Sequence, residues 1–350
     1  MSVGAQRNPL GWPRAIAIAV FIFGAPALFR HQSLAPRSFD EAPAKLLREL
    51  RPECVLLGDS MLGSRIDPGT LDKISDVRCA VLPYPGSGTA LWFLVYKNLV
   101  ASQPQPPRWM IVFFRDKQLT MPAFRAGNRY RNAMEKCMRG DEPRFTSILN
   151  RAQHDSEPWK ERLTTAVYAI QRKSADWQDA VKSNVLKAVA SRSQRASVRE
   201  AAERVFGSKN QRSDRQVIDA RNGDQMLGAS GHDFRANVNQ SFLPPMLEIA
   251  REQGSRLIFF RVKRRSLSSS PTPVESPDEQ AYQRELRAYL AGHGALLVDE
   301  TYDPEVTSGY YLGDDHVRDE MKGPYTEMFW KKMRLHLDSA DFPQIAAPAE

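Results

Sequence analysis

The chain has 350 residues, 42% of them hydrophobic and 26% charged, which is typical of a soluble globular protein with one large domain or two. Its formal net charge of +8 suggests an acidic partner such as an anionic glycan, a phospholipid headgroup or a nucleic acid. Zinc-knuckle, RNP-like and helix-turn-helix signatures are absent from the sequence, which argues against nucleic acid. Three cysteines without a close-spaced pair argue against a metal site or a disulfide framework. The sequence does not decide whether Cys54 and Cys79 form a single disulfide in an oxidising compartment.

The N-terminus carries a membrane-targeting pattern. Arg7 and Arg14 precede an apolar run over 15–29, which is slightly shorter than the roughly 17–25 residues of an ordinary membrane span. The step Ala25-Pro26-Ala27 also resembles a signal-peptidase site. We interpret residues 1–30 as an uncleaved signal anchor, with a cleaved signal peptide as the alternative. In both cases we expect the remainder of the chain to lie outside the cytoplasm.

Residues 31–127 and 236–338 have an α/β pattern. Short, continuous apolar runs of the strand type alternate with helical segments, which indicates a parallel sheet covered by helices on both faces. The predicted strands are 54–57, 78–82, 109–114, 257–262 and 295–298. The main predicted helices are 43–50, 89–102, 242–253, 277–291 and 321–337.

Residues 128–235 interrupt this pattern. They are rich in Lys, Arg, Gln and Ser and contain no strand-like run, which predicts a basic helical insertion on the α/β core. The charge of the insertion is most simply a solvated face, and a platform for an acidic polymer or a membrane surface is the alternative. The Ala- and Pro-rich tail 339–350 is predicted to be disordered.

A serine and a histidine loop at opposite ends of the chain carry the candidate chemistry. Gly58-Asp59-Ser60 directly follows the first apolar strand, which places the serine hydroxyl at the sheet edge where open α/β proteins bind ligands. Asp314-Asp315-His316 follows about 250 residues later. An imidazole activates a serine best when a carboxylate fixes its tautomer. The order Ser, Asp, His therefore predicts a nucleophilic triad, with Asp314 orienting His316 and Asp315 as the alternative acid.

Other residues near the predicted sheet edge are candidates for binding the substrate. The Ser60 N–H and an N–H of the turn Gly86-Ser87-Gly88 are the candidate oxyanion donors, because glycine lets the backbone approach a substrate closely. This turn lacks the Gly-Lys-Ser/Thr ending of a phosphate-binding loop. Arg115 and Asp116 either line the cleft or form a salt-bridged strand end. Arg261 either binds an anionic group or is a solvated loop charge. The sequence predicts no cofactor and no metal.

These motifs resemble those of the SGNH/GDSL hydrolase superfamily. The similarity lies in the strand-turn 55–60, the glycine turn at Gly86, the strand end at Arg115-Asp116 and the loop 314–316 that precedes a helix. The resemblance implies a flavodoxin-like, three-layer α/β/α fold. It also implies that Ser60 is the nucleophile, His316 the base, Asp314 its orienting acid, and Gly86 or Gly88 an oxyanion donor.

Two departures from the common superfamily pattern favour one branch of it. Phe114-Arg115-Asp116 stands where Gly-x-Asn-Asp is usual, and the final motif is Asp-x-His instead of Asp-x-x-His. Both are more similar to membrane-anchored periplasmic members linked to polysaccharide O-acetylation, such as the alginate-acetylation and DltD-like proteins. The resemblance implies a serine O-acyl esterase or acyltransferase acting on acylated cell-envelope polysaccharide or another acyl ester, with a membrane-bound O-acyltransferase as partner. The alternative is a non-catalytic envelope scaffold that binds glycan or such an acyltransferase through residues 128–235.

Overall fold

A five-stranded parallel sheet forms the centre of the protein. The computed structural model describes residues 39–126, 130–153, 233–266, 275–311, 313–337 and 342. The strands lie in the order β2-β1-β3-β4-β5, an order found in flavodoxin-like doubly wound sheets. Their bounds are β1 Cys54–Gly58, β2 Cys79–Pro83, β3 Trp109–Phe114, β4 Arg256–Arg261 and β5 Leu296–Asp299.

Ten α-helices lie within the described ranges. They are α1 Glu41–Leu50, α2 Ser60–Arg65, α3 Pro68–Ile74, α4 Thr89–Val95, α5 Arg131–Cys137, α6 Pro143–Gln153, α7 Phe234–Val238, α8 Leu243–Gln253, α9 Pro277–Gly292 and α10 Lys322–Leu337. A π-helical turn over Tyr96–Val100 continues α4. Short 3-10 turns occur at Gln118–Thr120, Ser308–Tyr310 and Asp319–Met321.

The helices form two layers because successive strand residues point to opposite faces of the sheet. Val55 and Leu57 of β1 pack into a hydrophobic cluster with α1 and with α4 to α9. Cys54 and Leu56 of the same strand pack into the opposite cluster with α2, α3 and α10. The core is therefore a three-layer α/β/α arrangement, with β1 and β3 fully buried between the layers.

Local sequence signals set the ends of several helices. Asp59 caps α2 and Asp67 caps α3, each accepting a hydrogen bond from a first-turn N–H. Ser276 and Glu279 form a reciprocal capping box at the start of α9. Gly254 ends α8 with a φ of 66°, a left-handed conformation that glycine adopts without strain.

The sheet predicted from sequence is confirmed, with strand bounds shifted by at most one residue. Helix α3 was not predicted. Two helices of the predicted insertion, α5 and α6, pack into the cluster on the α1 face, so the packed core continues past the predicted boundary at residue 127. The remainder of the insertion, over 154–232, lies outside the described residues.

The predicted signal anchor over 1–30 also lies outside the described residues. Among the helices that are described, none combines the length and the apolar character needed to cross a membrane. Of the predicted C-terminal tail only Phe342 is described. Its side chain is buried and contacts the guanidinium of Arg256 at the start of β4.

Candidate active site

Ser60 is the first residue of α2 and follows the carboxyl end of β1. The strand ends in Gly58, where an added Cβ would lie 2.9 Å from the Cβ of Phe113 and 3.0 Å from that of Leu62. A side chain at this position would therefore push the serine turn away from β3. Ser60 itself is half-buried. Among the residues that the structure describes, none hydrogen-bonds to its hydroxyl.

The serine turn lies where the direction of strand order reverses. β1 has β2 on one side and β3 on the other, and the connections after β1 and β3 run to opposite faces of the sheet. Open α/β sheets bind ligands in the crevice at such a switch point, outside the carboxyl ends of the strands. Ser60 thus occupies the position in this fold where a ligand site is expected.

The glycine turn after β2 is fastened to the serine turn. The N–H of Tyr84 donates to the carbonyl of Gly58 at 2.8 Å. Gly86 has a φ of 76°, in the region that favours glycine. At Gly88, which precedes α4, an added Cβ would lie only 2.5 Å from the carbonyl oxygen of Phe124. The sequence predicted this glycine turn as a neighbour of Ser60, and the structure places the turn beside the serine turn.

The chain after β3 closes over both turns. Phe124 contacts Gly88 through its carbonyl group. The next residue, Arg125, places Nη1 3.4 Å from Oδ2 of Asp59. Asp59 is only 2% exposed, so this guanidinium neutralises a buried carboxylate next to Ser60. Arg125 has a φ of 55°, a conformation that costs free energy in a residue other than glycine.

Asp314 and His316 form the pair that the sequence predicted. Oδ1 of Asp314 accepts the backbone N–H of His316 at 2.9 Å and lies 2.9 Å from the ring Nδ1. Burial raises the pKa of Asp314, but the two hydrogen bonds from His316 outweigh it and the pKa is lowered. An ionised carboxylate can only accept, so Nδ1 carries a proton that it donates to Asp314. The carboxylate therefore fixes the orientation of the ring, and Nε2 is the ring nitrogen that is not bonded to Asp314.

Asp315 points away from the imidazole and anchors the loop. Its Oδ2 accepts Nε of Arg264 at 2.8 Å and its Oδ1 accepts the N–H of Arg265 at 3.0 Å. Nη1 of Arg115 lies 4.0 Å from the same carboxylate. The acid in contact with the histidine is thus Asp314, while Asp315 ties the histidine loop to the segments that follow β3 and β4.

The predicted candidates Arg115 and Asp116 belong to this ion-pair network. Arg264 bridges two carboxylates, because its Nη1 donates to Asp116 at 2.6 Å while its Nε donates to Asp315. Asp116 has a φ of 50°, and the N–H of Arg115 donates to Gln118. Of the two predicted roles for Arg115 and Asp116, the geometry matches the salt-bridged strand end.

Arg261, predicted as an anion ligand or a solvated charge, lies in a separate ion-pair cluster. Its side chain is 6% exposed, and Nη1 donates to Asp299 at 3.1 Å while Nη2 donates to Glu275. Burial lowers the pKa of this guanidinium, and the two carboxylates more than offset that effect, so the pKa is raised. These two carboxylates balance the charge of Arg261, so we do not include it among the residues proposed to bind substrate.

One backbone carbonyl joins the serine helix to the start of the histidine loop. The carbonyl of Lys263, two residues after β4, accepts Nη2 of Arg65 at 2.7 Å and the hydroxyl of Tyr311 at 2.9 Å. Arg65 is the last residue of α2 and is fully buried, and Tyr311 pairs with Val317 across the histidine loop. Ser60 and His316 are thus carried by segments with a shared anchor.

A buried glutamate completes that anchor. Glu300 accepts the hydroxyl of Tyr325 at 2.6 Å and the N–H of Lys263 at 3.0 Å. Burial raises the pKa of Glu300, although Arg65 and these two hydrogen bonds act in the opposite direction. The ring of Tyr325 also lies beneath the guanidinium of Arg65. Glu300, which follows β5, is bonded to Tyr325 of α10, and the ring of Tyr325 lies against Arg65 of α2, so these side chains link α2 to α10.

The structure places Ser60, Asp314 and His316 at one edge of the sheet, but it does not join the serine to the histidine. Ser60 follows β1, and the loop with Asp314 and His316 is fastened to the segments that follow β3 and β4. In the described part of the chain no hydrogen bond joins the Ser60 hydroxyl to the His316 ring.

Sequence reasoning missed several residues that hold the site, namely Arg65, Arg125, Arg264 and Glu300. Each acts through a partner far away in the chain, and charged side chains at such positions are usually solvated. A weak signal existed for Arg125, since an aspartate placed directly after a buried strand needs a compensating cation. Nothing in the sequence identified which cation this would be.

Within the described ranges, no three His, Cys, Asp or Glu side chains cluster in a way that could hold a metal ion. Comparisons of the chain with protein-family models, with curated proteins and with solved structures find no match.

Proposed function

We propose that this protein is a serine O-acyl esterase or acyltransferase of the SGNH type, acting outside the cytoplasm on acylated cell-envelope polysaccharide. The observation that carries the proposal is the Asp314–His316 pair. Asp314 accepts a hydrogen bond from Nδ1 of His316. Both residues belong to a loop that is fastened to the carboxyl edge of the sheet, and Ser60 lies at the same edge. The strand order, with the serine at the switch point, supports the same assignment.

The proposed reaction uses each of these groups in turn. Ser60 Oγ attacks the acyl carbonyl carbon while His316 Nε2 takes the hydroxyl proton. The carboxylate of Asp314 stabilises the imidazolium that forms. The imidazolium then protonates the departing alkoxide, which leaves an acyl-Ser60 ester. Water or a glycan hydroxyl then attacks this ester while giving its proton to His316. The bond between the acyl carbon and Ser60 Oγ breaks, the imidazolium returns the proton to Ser60 Oγ, and the free acid or the new glycan ester leaves.

The tetrahedral intermediate needs donors for its oxyanion. The Ser60 N–H and an N–H of the 86–88 turn are the proposed donors, because the two turns are linked through Tyr84 and Gly58. One such donor is worth about 2.7–4 kcal/mol in other serine hydrolases. Arg115 stands where the superfamily usually supplies an asparagine donor, and it is engaged with Asp315. We therefore expect a slow or specialised enzyme.

Acetyl release from an activated ester, measured with the full chain, tests the proposal. The wild-type protein should release acetate, Ser60→Ala should reduce the rate to that of buffer, and a fluorophosphonate should label Ser60. Ser64 is a matched control, because it lies on the same short helix and its hydroxyl donates a hydrogen bond to the carbonyl of Met61. Ser64→Ala should retain activity. Equal rates for wild type and Ser60→Ala would refute the catalytic proposal.

Glycan binding separates esterase from scaffold. A chain with no esterase activity and no fluorophosphonate label that still binds acylated polysaccharide or a membrane-bound acyltransferase would be a scaffold. Loss of that binding on deletion within 154–232, with residues 39–153 and 233–337 retained, would assign the binding to the basic segment. An active enzyme that loses only its preference for polymeric substrate would instead assign the segment to substrate recruitment.

A further inference from the structure

Two cysteines lie side by side at the end of the sheet opposite the candidate active site. Cys54 is the first residue of β1, Cys79 is the first residue of β2, and the two are register partners across these parallel strands. Neighbouring strands are about 4.8 Å apart, which lies within the Cα separation that a disulfide can span. Both side chains belong to the hydrophobic cluster on the α2, α3 and α10 face, so both point to the same side of the sheet.

The two thiols differ in accessibility and in acidity. Cys54 is completely buried, whereas Cys79 on the edge strand β2 is partly exposed. The neighbouring Cys54 thiol lowers the pKa of Cys79 against the effect of burial, and the Cys79 thiol donates to the carbonyl of Val77 at 3.6 Å. The Cys79 thiol and burial together raise the pKa of Cys54. Thiolates are the attacking species in thiol–disulfide exchange, and the partly exposed Cys79 is the thiol that an oxidant in solution can reach.

We propose that Cys54 and Cys79 form a redox-active pair that closes to an intramolecular disulfide when it meets a small disulfide oxidant. The Cys79 thiolate attacks one sulfur of the oxidant, and a thiolate leaves. The Cys54 thiol then loses its proton and attacks the Cys79 sulfur, which expels the second thiolate and forms the protein disulfide. The protein gives up two protons and two electrons, and the oxidant is reduced to two thiols.

The bond would enclose residues 55–78, which include the serine turn, α2 and α3. A cross-link of this kind restricts the unfolded chain and so stabilises the fold. The redox state of the pair also depends on the compartment, because cytosolic reductants keep such cysteines as thiols, whereas extracytoplasmic oxidants convert them to a disulfide. The proposal does not depend on catalysis by Ser60, so either can fail without the other.

Oxidised glutathione is the probe. The full chain is equilibrated in a glutathione redox buffer, alkylated with N-ethylmaleimide, digested with trypsin without reduction and mapped by mass spectrometry. The expected product joins the peptides 49–65 and 79–97 and is two mass units lighter than their sum. Dithiothreitol should separate them, and Tm should rise by several degrees on oxidation.

Cys137 is an internal control. It is buried in the other cluster, where burial raises its pKa to about 12, and it should be alkylated only after unfolding. Cys79→Ser should remove both the linked peptide and the oxidant-dependent shift in Tm. A glutathione adduct on Cys79 without linkage to Cys54 would overturn the proposal. So would two free thiols under strongly oxidising buffer, or an unchanged Tm shift in Cys79→Ser.

Discussion

A single carboxylate oxygen of Asp314 holds His316 twice, through the backbone N–H and through ring Nδ1, each at 2.9 Å. Asp314→Asn can still accept the backbone N–H, but an amide no longer enforces the Nδ1 proton. We therefore expect Asp314→Asn to lower kcat for ester cleavage by about 10³–10⁴-fold, as tautomer loss does in other triads. The free energy of unfolding should change little at pH 7. Steady-state kinetics with urea unfolding checks both.

Asp315→Asn supplies the contrasting variant, because Asp315 anchors the loop and does not contact the imidazole. Removing its charge weakens the hydrogen bonds from Arg264 and Arg265. A hydrogen bond to a charged group is worth about 1.5–3 kcal/mol, so the free energy of unfolding should fall by about that amount. Activity should fall less than in Asp314→Asn. The assignment of the two acids is wrong if Asp315→Asn shows the larger loss of kcat at unchanged stability.

The pair of Asp59 and Arg125 gives a double-mutant cycle next to Ser60. Arg125→Gln keeps a polar side chain and the non-glycine residue at positive φ, but it leaves a buried carboxylate without its cation, which should cost about 1–3 kcal/mol of unfolding free energy. Asp59→Asn keeps a good helix cap and removes the need for a cation. In the Asp59→Asn background the Arg125→Gln cost should therefore nearly vanish.

The cycle is measured by urea unfolding of the four chains. A coupling energy of about 1 kcal/mol or more between neighbouring charges is expected. Additive losses would mean that the contact at 3.4 Å contributes nothing, and the segment that holds Phe124 and Arg125 would then need another explanation for its position.

Gly88→Ala tests the close approach beside the serine turn. The new Cβ would lie 2.5 Å from the Phe124 carbonyl oxygen, a backbone atom that cannot rotate away. We expect a loss of about 2–3 kcal/mol of unfolding free energy, in the range for overpacked sites, together with reduced ester cleavage. Gly69→Ala in α3 is the control. The nearest atom to its new Cβ is 3.6 Å away, so Gly69→Ala should raise the free energy of unfolding by about 0.5–1 kcal/mol. Destabilisation of both variants to the same extent would contradict this account.

The sheet was predictable because its strands are continuous apolar runs. Trp109–Phe114 coincides with the predicted third strand, since six successive apolar residues between helical segments are typical of a strand buried on both faces. Helix α3 was missed although its signals were present: Asp67 is its cap and Pro68 its first residue. The predicted helix over 89–102 ends in a π-helical turn at Tyr96–Val100, which no sequence period announces.

In the candidate site, too, contacts between sequence neighbours were predictable and contacts between distant residues were not. The Asp314–His316 contact spans two residues, so local spacing predicts it, and the choice between Asp314 and Asp315 waited only for the direction of each side chain. The contacts of Arg65 with Lys263 and of Arg125 with Asp59 bridge long sequence separations. Local patterns cannot specify such pairs, because a lone charged residue on a helix or in a loop is normally solvated.

Asp67 makes the stability of α3 depend on pH. Its Oδ2 accepts the hydroxyl and the N–H of Thr70, each at 2.7 Å, and these bonds hold the pKa below the usual 3.8. A carboxylate with a lowered folded-state pKa stabilises the fold above pH 3.8 and loses that contribution as pH falls through the folded value. Asp67→Ala should therefore cost about 1 kcal/mol at pH 7, and the cost should shrink below pH 4.

Asp72→Ala is the matched control, since Asp72 is exposed on the same helix and caps nothing. It should change the free energy of unfolding by less than about 0.5 kcal/mol at either pH. Urea unfolding at pH 7, 5, 4 and 3 gives the difference between wild type and each variant. A cost of Asp67→Ala that is the same at pH 3 as at pH 7 would mean that the side chain acts through packing and not as an ionised cap. In that case α3 would owe its position to Leu71, which is buried against the sheet.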